Sequence, residues 1–283
     1  MWIGRGCGRA GVGAMAVELG ETDLAELVSR LRAAGCVFAE DEAALLCADA
    51  ADAGALEEMT VRRIQGEPLE LVLGWAEFHG LRIAVEPGVF VPRRRTEFLA
   101  EQAAALLEPG DAVVDLCCGA GAIGAALVEM LRPRGGVELH AADVDPAAVR
   151  CARRNLAAPI RQGTAFVYQG DLDAPLPARL AGRVAVLTAN VPYVPSDEIP
   201  LLPAEAREFE PATALDGGAD GLDVLRRVAA AAPRWLRPGG SVLIEISERQ
   251  QESAEAAFRA AGLQPRLVVS DDYGTSVLIG RKS

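Results

Sequence analysis

The segment "LTANVPYVPSDEIP", Leu187 to Pro200, runs an apolar, strand-like stretch into an asparagine, a proline and a tyrosine, with further prolines close behind. Proline fixes its own φ and restricts the residue before it, so such a run builds a stiff rim at the end of a sheet. Asn190 and Tyr193 would hold an amide and an aromatic ring on that rim; a rigid loop with a capping asparagine is the plainer alternative. A second segment, "VVDLCCGAGAIG", places Asp115 at a strand end, Gly119 and Gly121 in a turn, and Gly124 at the opening of a helix. Glycines there let a ligand approach the backbone, and the helix N-terminus offers unpaired N–H groups. Gly119, Gly121 and Gly124 also satisfy the dinucleotide fingerprint, and Asp143 follows at about the 20-residue distance of a ribose-binding acid. A nicotinamide dehydrogenase is therefore one reading. A tight turn, with Asp143 merely capping the helix ahead of Pro146, is the reading without a ligand. Asp171 in "VYQGDLDAPL" ends another strand at the same edge, where a carboxylate can accept from an adenine amino group. Asp173 reads as solvated surface.

These residues need elements to hold them. From Thr22 to about Leu73 apolar residues recur at helical spacing, with Gly35 and Gly54 as stops, which predicts a small helical bundle. "FHGLRIAVEPGVFVPRRRTE" alternates around Gly80 and the Pro87-Gly88 turn and predicts a short hairpin acting as a linker. Beyond it, "AVVDLCC", "VELHAADV", "RVAVLTAN" and "GSVLIEIS" are each followed by a helical pattern. Such alternation means a mostly parallel α/β sheet covered on both faces. "PRLVVS" and "TSVLIGR" are separated only by "DDYG", too short for a crossover helix, and predict an antiparallel C-terminal hairpin. The expected organisation is a loose extension over 1–14 with Met15 as an alternative start, a helical domain over 15–77, the hairpin over 78–97 and the α/β domain over 98–283.

Composition bounds the function. With 283 residues, 51% of them hydrophobic, the chain buries a full core and has room for a second small domain. The formal net charge of −12 repels polyphosphate and argues against bulk nucleic-acid binding. Cys7, Cys36, Cys47, Cys117, Cys118 and Cys151 form no CxxC pair, and with only His79 and His140 to join them no metal-ligand spacing arises. Both histidines read as structural. No apolar stretch reaches the ~18 residues of a membrane span, and the opening residues lack a secretory core. A cytoplasmic, monomeric protein with reduced thiols is expected.

The chain resembles the class I S-adenosylmethionine-dependent methyltransferases and, within them, the bacterial release-factor glutamine methyltransferases of the HemK type. The resemblance rests on "QGEPLELVLGWAEFHGLRIAVEPGVFVPRRRTE", "VVDLCCGAGAI", "AADVDPAAV", "NVPYVP", "EAREFEPATALDGGADGLDVLRR" and "LRPGGSVLIEIS", in order, and covers nearly everything after Met15. It implies a Rossmann-like fold and a bed for S-adenosylmethionine made by Phe90, Cys117, Cys118, Gly119, Ala120 and Gly121. Asp143, Asp171, Leu172 and Asn190 would complete that bed. By the same resemblance the Asn190 side-chain oxygen and the Val191 carbonyl would grip the two hydrogens of an acceptor amide, with Pro192 stiffening the loop and Tyr193 beside the amide's flat face. The helical domain would recognise a translation release factor.

Three departures from the family pattern bear on specificity. Val191 stands where the family has proline; the contact it must supply is main-chain. Cys117 stands where glycine is common. In "VPRRRTE", Arg94 and Arg95 replace a proline and a glutamate, leaving Pro92, Arg93, Thr96 and Glu97 in place. Three adjacent arginines are usually a solvated cluster; at this position they would form a basic rim able to select an acidic or phosphate-bearing partner. Glu210 and Pro211 would line the acceptor channel. Methylation of an exocyclic amine in nucleic acid is the second reading, supported by those arginines and opposed by the net charge. The dehydrogenase and a non-catalytic binding module follow.

Overall fold

The computed structural model describes residues 17–283; the expected extension over 1–14, Met15 and Cys7 lie outside them. The chain divides into two compact units, the first ending at Leu73 and the second running from Gly74 to Ser283.

The first unit is helical: α1 (Glu21–Ala33), α2 (Ala39–Asp49), α3 (Ala53–Ile64) and α4 (Leu69–Leu73). Leu27, Leu31, Ala43, Leu46, Leu56 and Val72 make its core, the apolar positions spaced three and four apart that lie on one helix face. Asp52 caps α3 by accepting the Ala55 N–H at 2.8 Å, satisfying one of the donors every helix start leaves open.

The second unit begins with a hairpin, β1 (Trp75–Phe78) and β2 (Leu81–Ala84). Phe78 pairs with Leu81 across a two-residue loop. His79 (φ 50°) and Gly80 (φ 73°) both take the left-handed region, as the tight turn that matches strand twist requires. The hairpin thus starts at Trp75, and Asn155 bonds both main-chain groups of Ala84 at 2.9 Å.

After α5 (Glu97–Ala104) come β3 (Ala112–Leu116), α6 (Ala122–Leu131), β4 (Glu138–Asp143), α7 (Pro146–Asn155), α8 (Ala157–Arg161), β5 (Ala165–Gln169) and β6 (Val184–Ala189). Two short helices, α9 (Ala204–Phe209) and α10 (Ala212–Leu215), precede α11 (Asp223–Trp235), β7 (Leu236–Ile246), α12 (Gln251–Ala260), β8 (Leu263–Ser270) and β9 (Thr275–Lys282). The seven strands lie in the order β5-β4-β3-β6-β7-β9-β8. Pairings from β5 through β7 are parallel; β9 runs antiparallel to β7 and to β8. β3 and β6 are buried throughout, as strands covered on both faces are, and the one polar side chain in each, Asp115 and Thr188, is buried with the rest. Val114, Leu116, Leu187, Trp235, Ile244 and Phe258 fill one core.

Chain order leaves β3 toward β4 and β5 on one side and returns to β6 on the other. The crevice at the carboxyl ends of β3 and β6 is therefore a topological switch point, where sheets of this kind bind ligands.

Gly280 on β9 lies under α12: a Cβ there would sit 2.7 Å from Phe258 Cε2 and 3.1 Å from Val242. Overpacking of this kind costs about 1–3 kcal/mol. Gly280→Ala is expected to lower the unfolding free energy by that amount, read in urea as a lower midpoint with the denaturant slope unchanged.

Candidate active site

The loops after β3, β4, β5 and β6 meet the 88–96 segment around a cavity of about 1130 Å³. Phe90, Cys117, Cys118, Gly119, Ala120, Asp143, Asp171, Leu172 and Asn190 through Tyr193 all line it. Gly121 does not. It is the N-cap of α6 at φ 80°, and a Cβ there would press on Ala152 at 3.1 Å, so its part is to seat α6 against α7.

The β3–α6 turn is built on left-handed residues: Cys117 at φ 54° and Gly119 at φ 53°. That conformation favours glycine; position 117 holds a cysteine. An added Cβ at Gly119 would meet nothing within 4 Å; the turn presents bare backbone to the cavity. Asp143 shapes this turn from the neighbouring strand. Its Oδ2 accepts the Gly119 N–H at 2.8 Å and its Oδ1 accepts the Asp145 N–H at 2.9 Å. Burial raises its pKa, and these main-chain donors work the other way. Burial likewise pushes the Cys117 and Cys118 thiols up, which disfavours the thiolate and removes a nucleophilic role.

Asp171 is exposed, and its Oδ2 accepts from Arg227 Nη2 of α11 at 2.6 Å. The next residue, Leu172, takes φ 48° and is buried against the cavity. Phe90 lies 5.1 Å from the Arg93 guanidinium.

At the β6 end, Asn190 Nδ2 donates to Thr96 Oγ1 at 3.4 Å, while its Oδ1 is buried and has no hydrogen-bond partner. The loop that follows is clamped from the turn between β7 and α12: Gln250 Nε2 donates to the Tyr193 carbonyl at 2.8 Å and to the Asp220 and Gly221 carbonyls at 3.3 Å. Backbone crowding is severe here; a Cβ on Gly217 would lie 2.7 Å from the Pro192 carbonyl oxygen.

The arginine segment differs from the expected solvated basic rim. Arg93 Nη2 pairs with Glu210 at 2.6 Å, and the Glu210 side chain is 1% exposed. Arg95 Nε pairs with Glu245 Oε1 at 2.9 Å, and that side chain is 3% exposed. Two of the three charges are taken up by buried carboxylates, because a carboxylate removed from water requires such a partner. Arg94 does not line the cavity. Arg227, Glu245 and Gln250 escaped the sequence reading; the apolar "GSVLIEIS" carries one acid inside a buried strand, and that was the available signal.

His140 is structural. His140 stacks on Phe166 at 4.9 Å and bonds Tyr168 and Glu138 at 2.9 Å each. Among the described residues, no group of three His, Cys, Asp or Glu is placed to hold a metal ion, and no helix is long and apolar enough to cross a membrane.

A left-handed glycine turn opening a helix, a strand-end acid on one neighbouring strand and a proline-stiffened asparagine after the other define a class I methyltransferase, whose cofactor is S-adenosylmethionine. A family model described as methyltransferase small domain matches residues 80–194. A crystal structure of a methyltransferase from Pyrococcus furiosus shares the fold, with a TM-score of 0.51 at 17% identity over 72% of this chain and 90% of that one. The release factor glutamine methyltransferase of Geobacter sulfurreducens is 34% identical over 226 residues, 80% of this chain and 77% of its own. That of Mycolicibacterium smegmatis is 40% identical over 211 residues, 74% and 72% of the two chains. The chain belongs to the release factor glutamine methyltransferase family. A nicotinamide dehydrogenase is thereby excluded.

Behind the turn, Asp115 is fully buried, with Oδ1 accepting from Thr188 Oγ1 at 2.9 Å and Oδ2 unpartnered. Burial pushes its pKa from 3.8 up to about 7, against the pull of the Thr188 hydroxyl. The unfolded chain thus releases this proton near pH 3.8, whereas the folded protein holds it to about pH 7. Folding takes up a proton between those values, so this group's contribution to stability falls as pH rises through the window and levels off above it. Asp115→Asn is expected to flatten that slope, making the variant relatively more stable at about pH 8 than at about pH 4 in paired urea-unfolding curves.

Proposed function

We propose that the protein transfers the methyl group of S-adenosylmethionine to the side-chain amide nitrogen of a glutamine in a peptide chain release factor. The observation that carries this reading is the buried, unpartnered Oδ1 of Asn190 at the end of β6. A buried carbonyl oxygen lacking a donor costs free energy that an incoming N–H recovers.

The cofactor fits the residues present. The bare turn at Gly119 and the N-terminus of α6 would take its carboxylate end, while Asp143 and Asp171 would accept from ribose hydroxyls and the adenine amino group. Phe90 and Leu172 supply apolar cover. When bound, S-adenosylmethionine supplies a methyl group already activated on a sulfonium. The burden on the protein is therefore the acceptor. An amide nitrogen is a poor nucleophile because its lone pair is delocalised into the carbonyl. Asn190 Oδ1 and the Val191 carbonyl grip its two hydrogens and turn the nitrogen's face toward the cofactor, without a strong base. Pro192 stiffens the main chain that carries one of those contacts, and Tyr193 covers the flat face of the amide. Orientation of this kind can supply on the order of 7 kcal/mol of barrier reduction. Val191, in place of the family's proline, leaves the main-chain contact intact.

Family membership supports a protein acceptor. The helical unit is suited to recruit it: Val37 is 82% and Phe38 69% exposed, apolar surface of the sort that partners cover. Methylation of a nucleic-acid amine loses its main support, since Arg93 and Arg95 neutralise carboxylates of the protein itself. A translation factor as acceptor places the reaction in the cytoplasm.

Labelled S-adenosylmethionine offered to recombinant release factor should transfer label, and a glutamine-to-alanine factor should take none. Label appearing in RNA instead would refute the assignment. Asn190→Ala is expected to lower turnover by about 100-fold or more while S-adenosylhomocysteine affinity, read by isothermal titration, stays as in the wild type; equal loss of both would show that Asn190 serves the cofactor and not the acceptor.

A further inference from the structure

Beneath the rim lies a carboxylate that the transfer chemistry does not touch. Glu245, on β7, uses both oxygens: Oε2 accepts from Thr96 Oγ1 at 2.7 Å and Oε1 from Arg95 Nε at 2.9 Å. Both donors support the acceptor rim. Thr96 Oγ1 receives Asn190 Nδ2 at 3.4 Å. Arg95 Nη2 donates to the Tyr193 hydroxyl, and its guanidinium lies 5.8 Å from the ring centre.

The direction of these bonds is decided by proton counting. A threonine hydroxyl has one proton, and an ionised carboxylate only accepts. The Thr96 proton therefore goes to Glu245, so Thr96 presents lone pairs to Asn190. Only the Nδ2 end of the asparagine amide can face it. Oδ1 is left on the other side, buried and without a partner. On the second branch, the planar fork of Arg95 binds a carboxylate and a phenol at once, which a lysine ammonium at the same place would not reproduce.

We propose that Glu245 is a positioning residue for the acceptor, fixing which end of the Asn190 amide faces the glutamine through Thr96 and holding the Tyr193 ring in place through Arg95. The inference rests on the acceptor roles given above to Asn190 and Tyr193. Its negative charge is the operative property. A neutral amide at position 245 can donate to Thr96, which is then free to turn its proton toward Asn190 and present the wrong end of that side chain to the acceptor.

The test uses Glu245→Gln, Thr96→Val and their double variant, with Arg95→Met as a substitution at a partly exposed side chain should Glu245→Gln fail to fold. Each is measured for kcat and KM with recombinant release factor and for S-adenosylhomocysteine affinity by isothermal titration. Each is also labelled with fluorotyrosine for fluorine NMR, the Tyr193 signal being assigned with Tyr193→Phe. Glu245→Gln should lower kcat by about 10- to 100-fold with cofactor-product affinity unchanged. The double variant should be no slower than Glu245→Gln alone, because both substitutions break one path. The Tyr193 signal should move in Glu245→Gln and in Arg95→Met while those of Tyr168 and Tyr273 stay. A stationary Tyr193 signal, penalties that multiply, or affinity lost in step with kcat would overturn the proposal. A wild-type protein that binds S-adenosylhomocysteine but leaves release factor unlabelled would overturn the acceptor assignment instead, and the fluorine spectra would still decide whether Glu245 holds Tyr193.

Discussion

The parallel register of β3 with β4 and β6 is the constraint on which the site depends. Leu116 pairs with Ala142 on one side and Ala189 on the other, so Cys117, Asp143 and Asn190 leave the sheet side by side. Residues distant in sequence become neighbours because three strands end level. Thr188 Oγ1 on Asp115 Oδ1 ties β6 to β3 one residue before that line. A slip of one residue would reverse the faces of β6 and carry Asn190 away from the turn. Such a slip would also strip the fully buried Asp115 of its Thr188 partner, so the packing of the core and the placing of the chemistry are one requirement.

Charge within the cavity is arranged by pairing. Glu210 and Glu245 are nearly inaccessible, and each is matched by an arginine from the 93–95 run. Asp171 is matched by Arg227. Asp143 differs, since its partners are main-chain N–H groups of Gly119 and Asp145. It shapes the glycine turn through the main chain alone, without a side-chain cation. The arginines thus neutralise carboxylates of the cavity wall from within, and the net charge of −12 is no obstacle to a protein partner.

Most of the fold was legible because strand and helix periods alternate cleanly from Ala112 onward, and the four-residue "DDYG" link forced the antiparallel ending. The hairpin was readable from Gly80, yet its first strand reaches back to Trp75, since the alternation there is only four residues long. The glycine turn could be found from its spacing after a strand, whereas the role of "NVPY" was implied by the family resemblance. Gly121 could not be separated from Gly119 by sequence, because whether a glycine faces a ligand or a neighbouring helix is decided by Ala152, which lies on α7. The same holds for the arginines. A run of three charges reads as solvated surface until β7 and the segment after Pro203 are seen to bring Glu245 and Glu210 against it. Glu245 itself was hidden within an apolar strand whose other residues only announce burial.

Gln250 spans three carbonyls, those of Tyr193, Asp220 and Gly221, and so ties the rim to the neighbouring loop at a point where the backbones are already in contact. A rim held this way has little conformational freedom left to surrender when its substrate arrives. The ordering entropy of the encounter then falls on the glutamine-bearing segment of the other protein. How readily that segment is modified will follow its own flexibility before docking, and partners that present the same side chain on a looser loop will be served more slowly for that reason alone.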